Sequence, residues 1–438
     1  MASITQEQLF VWSDIEELGD LERLKLVLDT LPDEPLMKAL ESKRGQSGVN
    51  KYPIRAVWNS LIALVVLQHR SIESLRRELM RNPSLRRLCG FNLAMGAEAV
   101  PSAGSYSRFF RTLVQHTPLI QQIFEELVGQ CYEQFDEFGK NLAIDGKALP
   151  SCAQRAGKVE GDLRGEHEGR WARHVTKSES SDGRITETVK KWFGFTLHLI
   201  VDTHYELPVA YTVLPANENE MPVARRLIDR MAEKTPARLN WCEVMCADRG
   251  YDDGKLHRKL WDEYEIKPVI DIRRSWKDGE STRVFEKVPT VVYDNKGQVY
   301  CICSATGEQK SMVCRGFEKD RNCLKYRCPA AHYGVQCSGK ARCRIPEQVR
   351  IPLEEDRRIF TPVARDSYKW EKLYAQRSAV ERVNSRIDRM FGFEDHTIRG
   401  LDKMGLRVGI AFVVMLSFAV GRAREKREEQ MRQFCRSA

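Results

Sequence analysis

The strongest constraint on the fold is a change of apolar period near residue 140. Before it, Leu21 to Leu31, Ile54 to Leu67, Ile72 to Leu88 and Ser105 to His116 carry apolar residues three and four apart, the spacing of one helix face, with a break expected at Pro83. After it, Asn141 to Asp145 is a short apolar run closed by Asp145-Gly146. Phe193, Phe195, Leu197, Leu199 and Val201 then alternate as in a half-buried strand, and Pro208 to Leu214 reads as the hairpin partner. A helical pattern over Met221 to Ala232 leads to the apolar run Trp241 to Ala247, which ends at Asp248. A helix over Gly254 to Tyr264 and a strand over Ile266 to Ile272 complete the order strand, strand, strand, helix, strand, helix, strand. The fold class is therefore α/β, a mixed-sheet core behind an N-terminal helical domain.

The rest of the chain departs from this pattern in three places. Residues 151 to 191, with nine basic and seven acidic residues and little apolar periodicity, read as a long connection. Residues 273 to 350 hold 16 Lys or Arg against 8 Asp or Glu, so this segment carries a net +8 of the chain's +9 and is a candidate polyanion contact. It also holds seven of the 13 cysteines and short strand candidates at Thr290 to Tyr293 and Val299 to Ile302, a Cys-rich, partly β insertion. Beyond it, Asp366 or Ser367 can cap a long helix reaching about Met390. The 13-residue apolar run Val408 to Val420 is short of a bilayer span and reads as a buried helix, followed by a charged helix over Arg422 to Arg436. Met1 to Glu17 contains Asp14, Glu16 and Glu17 and lacks a basic stretch followed by an apolar one, so no secretory signal is expected and no membrane partner.

Within the N-terminal region, Ile72 to Leu88 carries Arg76, Arg77, Arg81, Arg86 and Arg87, and a helix after Pro101 brings Tyr106, Arg108 and Arg111. Short basic helices can enter a DNA groove, and they can equally be a bundle with a solvated arginine face.

Three acids stand out by position. Asp145 closes the first strand, Asp248 closes the fourth, and Glu381 faces outward on the C-terminal helix. Side chains at strand ends leave the packed layer, where ligand sites form in open sheets. Carboxylates without thiols or imidazoles select hard cations such as Mg²⁺, and two such ions stabilise the attacking and leaving oxygens of phosphoryl transfer. Taken singly, each aspartate also reads as a turn residue, and Glu381 as half of an ion pair with Arg377 in the less favourable order. At 100° per residue Tyr374, Arg377, Glu381 and position 388 share one sector of the helix, beside the apolar seam of Leu373, Val380, Val383, Ile387 and Met390.

The stretches Ile144-Asp145-Gly146-Lys147, Ala247-Asp248-Arg249-Gly250-Tyr251-Asp252 and Tyr374 to Arg386 resemble the DDE transposases of bacterial insertion sequences, in the group with a Tyr-x2-Arg-x3-Glu-x6-Lys signature. The resemblance extends over most of the chain, including the Leu-Pro-Val-Ala-Tyr and Pro-Ala-Asn-Glu-Asn stretches between Phe195 and Asn219. It implies a ribonuclease H-like core with Asp145, Asp248 and Glu381 as catalytic metal ligands for two Mg²⁺ or Mn²⁺ ions. It also implies cleavage of element ends by water and attack of the freed 3′-OH on target DNA. Tyr374, Arg377, Arg389, Lys147 and Arg249 would contact DNA. The partners implied are double-stranded DNA, as terminal inverted repeats and target, and a second copy in a homodimer, in a bacterial cytoplasm.

The expected organisation is 1–138 helical and DNA-binding, 139–272 first part of the core, 273–360 insertion, 361–421 second part of the core, and 422–438 charged tail. In the place of the signature Lys stands Asp388, with Arg386 and Arg389 rotated off the stripe, so Arg389 substitutes only if the helix bends. Trp276 or Trp192 are the candidates to receive a flipped base. A ribonuclease H-like nuclease without strand joining and a decayed, binding-only protein are the competing readings.

The insertion's cysteines do not form a clean pair of CxxC knuckles. A four-thiolate zinc site at Cys303, Cys328, Cys337 and Cys343, with His332 and Cys314 as alternative ligands, competes with reduced thiols that bind no metal.

Overall fold

The computed structural model describes residues 18–42, 52–156, 165–179, 185–273, 276–303, 305–334 and 336–433. The N-terminal stretch read against a signal, Met1 to Glu17, lies outside them, as do Cys435 and parts of the 151–191 connection. The chain forms two compact units.

One unit joins Met1–Gln134 to Arg389–His396 and Leu406–Ala438. Its helices are α1 (Leu21–Thr30), α2 (Glu34–Ser42), α3 (Ile54–Val66), α4 (Ile72–Arg81), α5 (Pro83–Cys89), α6 (Ala103–Val114) and α7 (Thr117–Gln134). The expected break falls at Asn82, whose side chain accepts from the Leu85 N–H and caps α5, with Pro83 in its first turn. Leu24, Val27, Trp58, Leu75, Leu79, Phe124 and Leu127 are buried with Phe412 and Phe418 of the last helix, and the Phe124 and Phe412 rings lie 6.2 Å apart. Gly421 is where α1 passes closest: a Cβ there would lie 2.7 Å from Leu26 Cγ.

The basic residues of this unit are partly spoken for. Arg76 bonds Glu73 and the Pro101 carbonyl, and Arg86 is buried and donates to the carbonyls of Leu79 and Met80. Tyr106 is buried, its hydroxyl 2.8 Å from Ser60 Oγ.

The second unit comprises Phe135–Asp388 and Thr397–Gly405. Its main sheet holds β1 (Asn141–Pro150), β2 (Arg170–Glu179), β3 (Ile185–Asp202), β4 (Pro208–Pro215), β5 (Val244–Ala247) and β6 (Lys267–Ile270). Helix α8 (Glu220–Lys234) and the short α9 (Pro236–Trp241) precede β5, and α10 (Gly254–Arg258) follows it. Strand β3 pairs antiparallel with β1 and β4, whereas β5 pairs parallel with β1 and β6. This is the mixed order expected of a ribonuclease H-like core.

One expectation fails here. Residues 170–179 and 185–194 are a paired hairpin, not a loop, because β3 extends nine residues, 185–193, past its pairing with β1 and β4 and pairs there with β2. Where its side chains are described they are mostly exposed, so no apolar alternation marks it. Gly194, at φ +147, is the joint: a Cβ there would lie 2.5 Å from the Leu149 carbonyl oxygen and the Ser151 nitrogen.

The insertion builds two small antiparallel sheets. One contains β7 (Thr282–Val284), β8 (Val291–Asp294), β9 (Val299–Ile302) and β10 (Gln309–Ser311). The other contains β11 (Val313–Glu318), β12 (Cys323–Arg327) and β13 (Gln348–Pro352), with the one-turn α11 (Pro329–Tyr333) between the last two strands. Val291, Val299, Leu324, Tyr326, Ile351 and Phe360 share a core of their own.

The long helix expected from 367 to 390 is two helices, α12 (Tyr368–Ala375) and α13 (Ser378–Phe391). Around the link the N–H groups of Gln376, Arg377, Ala379 and Val380 bond three residues back, which tightens the turn. Helix α14 (Leu401–Arg424) is long and apolar enough to cross a membrane, but 89% of its most apolar window is buried, as in a core helix. It stops at Arg424, and Lys426 at φ +59 ends the expected charged helix early.

Candidate active site

The two aspartates arrive together because their strands run side by side. β1 and β5 are parallel and pair Ile144 with Ala247, so the next residue on each, Asp145 and Asp248, stands at one register level. Asp248 follows the end of β5, but Asp145 does not close its strand as expected, because β1 stays paired with β3 as far as Pro150. Asp248 caps the turn Arg249–Tyr251, its Oδ1 accepting from the Gly250 N–H at 2.7 Å. It is thus the turn residue that the sequence offered as one of two readings, and it stands at the register level of Asp145. Burial first, and the Asp248 carboxylate second, push the Asp145 carboxyl up to about 7. Asn384 of α13 reaches Asp145 Oδ2 at 3.3 Å.

Glu381 lies one helical turn before Asn384, is 54% exposed, and accepts from Arg377 Nη2 at 2.7 Å. The ion pair weighed from the sequence is therefore formed. The stripe survives the tightened link, since the Arg377 guanidinium also lies 5.7 Å from the centre of the Tyr374 ring. The link is tied to the sheet by Thr203 Oγ1 bonding Gln376 Oε1 at 3.1 Å, and α13 by Arg382 and Arg386 bonding buried Glu206.

The other expected contacts separate into placed and engaged groups. Lys147, two residues along β1 from Asp145, forms a 2.5 Å ion pair with Asp388, with only 11% and 23% of the side chains exposed. A cation thus stands against position 388, delivered by the strand. Arg386 is held by Glu206, Arg389 is exposed, and Arg249 bonds Asp271. Trp192 donates to the Phe195 carbonyl, and Trp276 packs on Tyr293 under the Arg283 guanidinium.

Asp252, the last residue of the Asp-Arg-Gly-Tyr-Asp stretch, has a different setting. Its buried carboxylate accepts from Arg358, from the Arg273 N–H at 2.8 Å, and faces His257 at 3.6 Å. Although burial alone would raise it, these partners hold its carboxyl far below the usual range. Arg273 also donates to the carbonyls of Arg249 and Gly250, bracing the turn behind Asp248.

One acid was missed in the sequence reading. Glu220, the first residue of α8, is brought against both aspartates' neighbours, its Oε1 3.1 Å from where a Cβ on Gly146 would stand and its Oε2 2.6 Å from that on Gly250. Burial, then Asp248, raises its carboxyl. The available signal was its place just after Pro-Ala-Asn-Glu-Asn, with Asn219 as a helix cap.

In the insertion Cys303, Cys328, Cys337 and Cys343 line one cavity together with Cys301, and all 12 described cysteines are free thiols. Thr306 first among its partners, with Ser338, bonds the Cys303 sulfur and lowers its thiol to about 7. Cys314 packs on the insertion's core, and buried His332 Nδ1 has no hydrogen bond among the described residues. Among the described residues no three His, Cys, Asp or Glu side chains lie close enough to share one metal ion, in this cavity or at the sheet.

The family described as "Transposase DDE domain" matches residues 138–416, and "Transposase domain (DUF772)" matches residues 13–112. The chain belongs to the DDE transposase family of insertion-sequence type, and is a DNA transposase by that membership. Among solved structures it is similar to the piggyBac transposase synaptic complex with hairpin DNA, at 11% identity and a TM-score of 0.40, over 95% of this chain and 79% of that one. No curated protein matches.

Proposed function

We propose that the chain cuts DNA at the ends of its element and joins the freed 3′-OH to target DNA, with Asp145, Asp248 and Glu381 as the catalytic carboxylates. The observation that carries this reading is the register that brings Asp145, inside β1, level with Asp248 just past the end of β5, in a setting that raises the Asp145 carboxyl to about 7. A buried carboxyl raised by a like charge becomes a stable anion when a cation sits beside both. Oxygen donors alone suit Mg²⁺ or Mn²⁺, each held by one or two carboxylates with water and phosphate completing its shell. Two such ions, when bound, lower the pKa of the attacking water or 3′-OH and offset the charge that builds on the phosphate.

The protein's own groups then bind and orient the strand. Arg377 releases Glu381 and turns its planar fork to a phosphate, and Tyr374 beside it offers a phenol O–H. Lys147, held by Asp388, places a second positive charge two residues from Asp145, and Arg249 and Arg389 track the backbone. Asn384 keeps Asp145 oriented. The basic helices of residues 1–138 and the basic insertion 273–360 bind flanking DNA with strong salt dependence, and two copies hold the paired ends.

The test is cleavage and strand joining on duplexes carrying the flanking element ends in Mg²⁺, comparing wild type with Glu381→Ala. Cleavage and joining by the wild type alone is the expected result. Cleavage without joining identifies a nuclease, and DNA binding without cleavage by either protein identifies a binding-only chain.

A further inference from the structure

Glu220 starts α8 just after the Asn219 cap. Its two oxygens cover Gly146 and Gly250, the glycines that accompany the two aspartates. At Gly250 the geometry is informative: the point a Cβ would occupy is 2.6 Å from Glu220 Oε2 and 2.7 Å from Asp248 Oδ1. Two carboxylate oxygens from different elements thus face each other across a position that is open because residue 250 has no side chain. Among the described residues Glu220 has no hydrogen bond or ion pair, although it is part-buried. Leaving a carboxylate in such a place without a partner is costly.

A second observation points to the same ligand. The Tyr251 side chain is fully buried, and its hydroxyl has no hydrogen-bond partner among the described residues. It lies 3.5 Å from the Cβ position of Gly146, beside Glu220 Oε1. A phenol can donate to an anion or bond a water, so it suits a ligand that brings its own water.

We infer that Glu220 and Asp248 hold a divalent cation between them, with the Tyr251 hydroxyl bonded to one of that ion's waters. This rests on the proposed reading of the site and adds a fourth acid to it: Asp248 is shared between an ion on the Asp145 side and one on the Glu220 side. Small hard cations need only one or two protein carboxylates and keep several waters, so the arrangement requires no three-acid cage.

The experiment is a Mn²⁺ titration of the full chain without DNA, following free Mn²⁺ by electron paramagnetic resonance, with melting in EDTA as a check on folding. Glu220→Gln should weaken Mn²⁺ binding at least tenfold or remove one equivalent, and should melt in EDTA no lower than wild type. A merely structural Glu220 would lower that melting point and leave binding unchanged. Gly250→Ala, which fills the shared position, should weaken Mn²⁺ binding in the same sense. If Glu220→Gln does not fold, Glu220→Asp serves, and wild-type affinity in it overturns the inference.

Asp248→Asn separates the two levels of argument. Wild-type binding in Glu220→Gln but not in Asp248→Asn overturns the Glu220 assignment and leaves the catalytic reading standing. Wild-type binding in both overturns the two together.

Discussion

Asp248 and Asp252 are four residues apart and live in opposite surroundings. Asp248 shares its neighbourhood with Asp145 and Glu220, both raised by burial and by its charge, and among the described residues no cationic side chain bonds it. Asp252 is buried and has Arg358, His257 and the Arg273 N–H around it. The difference separates two uses of a buried carboxylate. One with its charge already answered holds the fold together, and a group of them left unanswered is, on the proposed reading, where a cation from outside binds.

That contrast breaks most visibly in activity. Asp145→Ala, Asp248→Ala and Glu381→Ala should each lower Mg²⁺-dependent cleavage by about a thousandfold or more, the loss of several kcal/mol of charge stabilisation, while far-ultraviolet circular dichroism and DNA binding persist. Asp252→Ala should do the reverse. It strands Arg358 beside a buried histidine, and chemical denaturation should show a loss of about 3–5 kcal/mol, with activity lost only as the fold is lost.

A pH series sharpens the comparison further. Asp145 is raised from 3.8 to about 7, so the folded protein binds the extra proton between those values. Its contribution to stability is fully present below about pH 4 and is lost as pH rises through about 7. Asp145→Asn in EDTA should therefore be more stable than wild type at pH 8, by on the order of a few kcal/mol in chemical denaturation, with the gain gone below pH 4. Asp252, lowered, contributes above its unfolded value and loses that contribution only in acid. The smallest effect is expected at Lys147. Lys147→Met should weaken cleavage about tenfold, and the reversal Lys147→Asp with Asp388→Lys should recover most of it, because the pair's cation is what the strand needs.

Much of this was legible in the chain itself. The order of strands and helices followed from period and apolar runs, and Asp145 and Asp248 stood out because they end two of those runs. Glu220 did not, since one glutamate in Asn-Glu-Asn-Glu is indistinguishable from a solvated helix start until the fold lays α8 against the glycines. The hairpin over 170–194 escaped because its described side chains are mostly exposed, and backbone pairing leaves no trace in composition. The split between α12 and α13 escaped because the tight turns around 376–380 need neither proline nor glycine. Asp388 looked like a missing charge only because sequence distance hides that Lys147, 241 residues earlier, stands against it.

The Lys147–Asp388 pair also limits how such a chain can change over generations. On the proposed reading, losing the lysine alone would leave a bare carboxylate near the DNA strand, and changing the aspartate alone to a base would set two cations against each other. Each single step is worse than either end state, so the arrangement is expected to pass between lineages as a linked pair, inherited or exchanged together.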